Sequence, residues 1–105
     1  MNDLLRPSLY GAWHDILAVR HKDKRTVATV VGPICETGDT FAEDREMEDV
    51  AAGDLVAFMT AGAYGATMAS TYNSRPLVPE VMVKGEDWAI VSQRNQPAAM
   101  LALDA

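Results

Sequence analysis

A chain of 105 residues carrying a net charge of −6 has room for one compact core, and its nine Lys and Arg residues are scattered, which argues against a phosphate backbone as partner. About half the residues are hydrophobic (49%) and 23% are charged, an ordinary globular balance in which no apolar run approaches a membrane span. The single cysteine excludes an internal disulfide, and with His14 and His21 as the only other soft ligands, widely separated, no metal site is expected.

The opening MNDLLRPSLYGAWH crowds Leu4, Leu5, Leu9, Tyr10 and Trp13 near the terminus, so it either packs at once or faces a neighbour. It lacks the basic stretch and apolar core of a signal peptide, and a reducing cytoplasm is the expected compartment. Arg6 and Tyr10 are four apart, which on one helical turn puts a guanidinium and a phenol on the same face. Together they could hold a carboxylate; the competing reading pairs Arg6 with a surface acid and packs Tyr10 in the core.

Residues 14–20, HDILAVR, and 26–31, TVATVV, are aliphatic and β-branched and read as two paired strands across the charged turn HKDKR. Gly32 and Pro33 stop the second of them, and CETGD follows as a loop. FAEDREM reads as a short strand, and LVAFMT at 55–60 as a buried one. AGAYGATMAS reads as a tight turn entering a short helix, and YNSRPLVP as a proline-bounded loop with Tyr72 packed and Asn73 in turn hydrogen bonds. PEVMVKGEDWAIVSQR alternates across a KGED turn as a hairpin should, and the tail NQPAAMLALDA reads as a short helix begun near Pro97. About six strands with little helix predict a mainly β domain over residues 1–105, a small barrel or sandwich.

Cys35 is the one residue whose setting points to chemistry. A lone cysteine is most often a small buried hydrophobe. Here Glu36 is adjacent and Asp39 is close, and carboxylates disfavour a thiolate, which makes a protonated thiol and a proton donor the expectation rather than a nucleophile. GAYG at 62–65 offers Tyr64 between glycines, where a hydroxyl could approach a ligand oxygen, although the pattern by itself is weak and an ordinary turn explains it better.

Read in order, MNDLLRPSLYGAWH, VVGPICETGDTFAEDREM, GDLVAFMTAGAYGATMASTYNSRPLVPEV and SQRNQPAAMLALD resemble the C-terminal part of the diaminopimelate decarboxylase family, over essentially the whole chain. The C-E-x-G-D element and the G-A-Y-G…Y-N-S-R-P-x-x-P-E-V run carry most of that resemblance. It implies the C-terminal β domain of a fold type III decarboxylase, whose (β/α)8 barrel is absent here, with residues 1–14 similar to the segment that leaves the barrel. It implies pyridoxal phosphate as cofactor, bound through a barrel lysine; Lys22, Lys24 and Lys84 all fall in or beside turns, so the chain alone is expected to be inactive.

Within the resemblance, Cys35 is implied as the proton donor after carbon dioxide leaves meso-diaminopimelate to give L-lysine. Arg6 and Tyr10 would bind the distal carboxylate of the substrate, Glu36 its distal ammonium, and Tyr64 both cofactor and substrate. The implied partners are the missing barrel and a second subunit, because in this family the cysteine and glutamate of one subunit reach the cofactor of the other. A related ornithine- or arginine-type decarboxylase domain and a stand-alone binding module without catalysis remain the alternatives.

Overall fold

The computed structural model describes residues 1–103; positions 104 and 105, the end of the tail read as helical, lie outside the described residues. Six strands are present: β1 (Ile16–Ala18), β2 (Arg25–Val31), β3 (Thr40–Glu48), β4 (Val56–Phe58), β5 (Glu80–Lys84) and β6 (Asp87–Ser92). Three short helices, α1 (Arg6–Tyr10), α2 (Gly62–Met68) and α3 (Pro97–Leu103), and a 3-10 turn over Tyr72–Ser74 complete the order. Pro7 sits in the first turn of α1, where its missing N–H costs nothing. Gly11 ends that helix at φ 64°, a left-handed conformation open to glycine, and its N–H reaches the Pro7 carbonyl at 3.1 Å.

The strands form three antiparallel two-stranded sheets, β1 with β4, β2 with β3, and β5 with β6, and no closed barrel among the described residues. The expected pairing of β1 with β2 is therefore not formed: Ile16 stands opposite Phe58 and Ala18 opposite Val56, while Arg25 stands opposite Glu48. Glu48 supplies the physical reason. Its carboxylate accepts from the Ala18 N–H at 3.2 Å and the Lys22 N–H at 2.7 Å, which ties the HKDKR turn to the end of β3. The Val19 N–H then turns to the Leu55 carbonyl at 3.0 Å, extending the β1–β4 pair instead. The bonds from Lys22 and Ala18 hold the Glu48 carboxyl below its ordinary range, against the effect of burial, and His21 and Arg25 add to the shift.

The apolar core is small: Leu4, Ile16 and Met47 are buried, and Phe41 and Phe58 meet with ring centroids 4.7 Å apart. Buried polar groups outnumber them. His14 bonds through Nδ1 to the Met59 carbonyl, and Arg45 donates to the His14 carbonyl at 2.8 Å while its guanidinium lies 3.4 Å from the centre of the Trp13 ring. LVAFMT is less buried than its composition suggests, since Leu55 and Met59 are exposed and Val56–Phe58 only half-buried. The hairpin β5–β6 forms as read, across Gly85 and Glu86, yet every one of its strand residues is exposed. Leu9, Tyr10 and Trp13 are exposed as well, so of the two readings of the opening segment it is the one facing a neighbour that fits these three side chains.

Candidate active site

The loop between β2 and β3 is built around Asp39, which is 2% exposed. Its carboxylate accepts from the Ile34 N–H at 2.7 Å and pairs with the α-amino group of Met1, and its own carbonyl accepts from the Gly32 N–H at 2.8 Å. Burial alone would push the Asp39 carboxyl upward; the bonds from Met1 and Ile34, with the charges of Met1 and Arg75, outweigh it and hold the group below the usual carboxylate value. Gly32 is required here for space, because a Cβ at that position would stand 2.5 Å from the Asp39 carboxyl carbon. The loop is thereby pinned from inside, and Cys35 and Glu36 are left on its outer, exposed side.

Asp39 was expected to act on the Cys35 thiol as an acidic neighbour. It turns inward instead, to the Ile34 N–H and the Met1 α-amino group, so Glu36 is the carboxylate that shares the outer face with Cys35. Glu36 has a partner that sequence reasoning missed. The Tyr72 hydroxyl donates to Glu36 Oε2 at 3.0 Å, which raises the Tyr72 phenol above its ordinary value through that bond first and the Glu36 charge second. Tyr72 had been read as packed, but its ring is exposed. A separation of 36 residues gives no periodic signal for such a pair; the one clue is that both residues fall in the two most specific motifs.

A second cluster joins α1 to α2. The Arg6 guanidinium lies 5.1 Å from the centre of the Tyr64 ring, so the structure brings these two expected site residues together. Arg6 forms no salt bridge among the described residues, and Tyr10 is 65% exposed, so neither half of the structural alternative for that pair is seen. No hydrogen bond joins Tyr10 to the other candidates among the described residues. The first cluster approaches α1 through Gly38, where a Cβ would lie 3.6 Å from both Ser8 Oγ and Glu36 Oε1. A cleft of about 380 Å³ opens beside this contact and is lined by Ser8, Gly38 and Trp13, but not by Cys35, Glu36, Arg6 or Tyr64. The candidate site is thus an open surface formed by one loop and three short helical elements, α1, α2 and the 3-10 turn at Tyr72.

Such a surface can present a thiol, a carboxylate, a guanidinium and two phenols to a polar ligand. The three lysines lie away from it: Lys22 pairs with Asp54 at 3.3 Å, Lys24 lies 3.9 Å from Asp49, and Lys84 ends β5 at the hairpin turn. Among the described residues no cluster of three or more His, Cys, Asp or Glu side chains is placed to bind a metal, and no helix is long and apolar enough to cross a membrane.

Residues 1–62 match the family described as pyridoxal-dependent decarboxylase, C-terminal sheet domain. The diaminopimelate decarboxylase of Zymomonas mobilis is 58% identical over 95 residues, 90% of this chain but 23% of that protein. A crystal structure of diaminopimelate decarboxylase from M. jannaschii in complex with L-lysine superposes with a TM-score of 0.93 at 35% identity, covering 100% of this chain and 24% of that one. A crystal structure from Aquifex aeolicus gives a TM-score of 0.94 at 46% identity, covering 99% of this chain and 26% of that one. The chain spans about a quarter of the length of the proteins it matches, and it belongs to the pyridoxal-dependent decarboxylase family, as a C-terminal sheet domain.

Proposed function

We propose that this chain is the substrate-facing part of a diaminopimelate decarboxylase, which removes one carboxylate from meso-diaminopimelate to form L-lysine. The observation that carries the reading is the outward presentation of Cys35 and Glu36 on a loop pinned by Asp39, in a chain similar over its whole length to a diaminopimelate decarboxylase crystallised with L-lysine. Pyridoxal phosphate, when bound, supplies the electron sink that decarboxylation requires. The covalent lysine belongs to a barrel that this chain does not include, and Tyr64 is the residue here that would contact the cofactor. The isolated chain is accordingly inactive.

The residues divide the remaining work. Cys35 delivers the proton of its Sγ to the carbon that has lost its carboxylate. Arg6 offers a planar fork to the distal carboxylate of the substrate, with Tyr10 and Tyr64 as phenolic donors beside it. Glu36 accepts the distal ammonium. Requiring both charges at the far end separates diaminopimelate from a simple diamino acid. The missing barrel and a second subunit complete the site, consistent with the exposed apolar hairpin and the open shape of the cluster. An exposed free thiol fits the reducing cytoplasm as the compartment of the enzyme.

The test is a segment exchange. This chain replaces the corresponding quarter of the Zymomonas mobilis enzyme, and release of carbon dioxide from diaminopimelate is measured. Turnover by the chimera, abolished by Cys35→Ala, supports the reading; a folded, cofactor-loaded chimera that decarboxylates ornithine or arginine in preference to diaminopimelate overturns it.

A further inference from the structure

Tyr72 has no part in the division of labour above, yet its position is among the most constrained on this face. The backbone around it is fixed from the buried side: Asn2, 7% exposed, donates through Nδ2 to the Tyr72 carbonyl at 2.5 Å, and the Ser70 N–H returns to the Asn2 carbonyl at 3.0 Å. Directly after it, Asn73 and Ser74 take left-handed conformations, φ 62° and 59°, and the Tyr72 side chain is exposed. That side chain meets Glu36 with its hydroxyl on Oε2. The other oxygen, Oε1, lies beside Gly38, which has no side chain to cover it. A carboxylate bonded at one oxygen, with no hydrogen bond to the other among the described residues, is oriented to receive one further donor.

We propose that Tyr72 is a positioning residue: its hydroxyl fixes the Glu36 carboxylate so that Oε1 faces the distal ammonium of the substrate. This rests on the reading of Glu36 given above and adds to it the device that sets the carboxylate's direction. A free glutamate samples several rotamers, and choosing one of them at the moment of binding costs conformational entropy. The Tyr72 bond settles that choice in advance, and it also keeps the oxygen it occupies from competing for the ligand. The rise in the Tyr72 phenol agrees with a hydroxyl that keeps its proton beside an ionised carboxylate.

Two measurements decide the matter. In the chain itself, the phenol of Tyr72, followed by NMR of ring-labelled tyrosine, is expected to titrate at higher pH than in the Glu36→Gln variant; identical titration in the two overturns the pairing. In the chimeric enzyme, Tyr72→Phe is expected to raise KM for diaminopimelate about tenfold with kcat changed less than about threefold, the loss expected for one hydrogen bond to a charged group. Preference for diaminopimelate over an analogue lacking the distal amine should fall by a similar factor. Adding Tyr72→Phe to Glu36→Gln should cost nothing further. Equal losses on both substrates, or additive losses in the double variant, overturn the proposal in favour of a purely structural tyrosine. A chimera that does not decarboxylate diaminopimelate removes the functional reading and this role with it, while the titration still reports whether the two side chains are paired.

Discussion

Asp39 and Gly32 occupy a single shared space: the carboxylate of one stands where the β-carbon of the other would be. The arrangement keeps the backbone of the loop close to the carboxylate that accepts from the Ile34 N–H. Gly32→Ala must therefore displace a buried carboxylate from its bonds to the Ile34 N–H and the Met1 α-amino group. The expected cost is about 2 kcal/mol, in the range of overpacked interiors, read as a shift of the urea midpoint of the isolated chain. An unchanged midpoint would show that the loop has a second conformation with room for the methyl group.

The same aspartate sets a pH dependence. Its carboxyl is held below its ordinary value in the folded chain, so the unfolded chain binds a proton more readily. The stabilisation is fully present above the unfolded value, near pH 4, and is lost as the pH falls through the folded value. Unfolding followed from pH 6 downward should show the wild-type chain losing stability in that acid window, with Asp39→Asn starting lower and falling less steeply. Parallel curves would mean that other carboxylates, Glu48 and Asp54 among them, carry the acid response.

How far the sequence could be read differs between strands and sites. The hairpin β5–β6 was legible because alternation and a two-residue Gly85–Glu86 turn are local signals. The partner of β1 was not, since it depends on where the Glu48 carboxylate reaches, a tertiary choice that no period encodes. At the site, Cys35 and Glu36 could be named as candidates from their motif, but the inward turn of Asp39 could not: carboxylates one and four residues from a thiol look alike in sequence and differ in burial. Tyr72 was invisible for the same reason, its partner lying in a distant loop.

If Cys35 supplies the proton, its removal should spare binding and slow chemistry. In the chimeric or complete enzyme, Cys35→Ala should retain pyridoxal phosphate, judged by its absorption, and lose lysine formation by about 10²- to 10⁴-fold, the usual contribution of a general acid. Cys35→Ser, which keeps a proton but on a far weaker acid, should fall between. Turnover within a factor of about two of the parent, against those expected losses, would assign the proton to another group.

Arg6 provides a sharper discrimination, because its guanidinium already lies over the Tyr64 ring and has no competing salt bridge among the described residues. Replacing it by lysine preserves charge but removes the fork, and replacing it by alanine removes both. The expected order of kcat/KM for diaminopimelate is Arg6, then Lys, then Ala, with about 10- to 100-fold lost by the alanine variant. A substrate lacking the distal carboxylate should be almost indifferent to both changes. Equal losses on the two substrates would place Arg6 in the fold through Tyr64 and remove it from recognition.

The hairpin gives a prediction independent of catalysis. Val81 stands opposite Ile90 and Val83 opposite Trp88, so their side chains make a cross-strand apolar patch whose members are 50, 53, 67 and 68% exposed, in that order. A two-stranded hairpin with an uncovered apolar face is marginal in water, whereas β2–β3 packs beside α1 and β1. In the isolated chain the amides of β5–β6 should therefore exchange well before those of β2–β3, and Trp88 should emit as a water-exposed indole. If a barrel or second subunit covers the patch in a complete decarboxylase, the same amides should gain protection there and the Trp88 emission should move to the blue. Equal protection of the two sheets in the isolated chain would show that β5–β6 is stable without a cover, and the exposed patch would no longer argue for one.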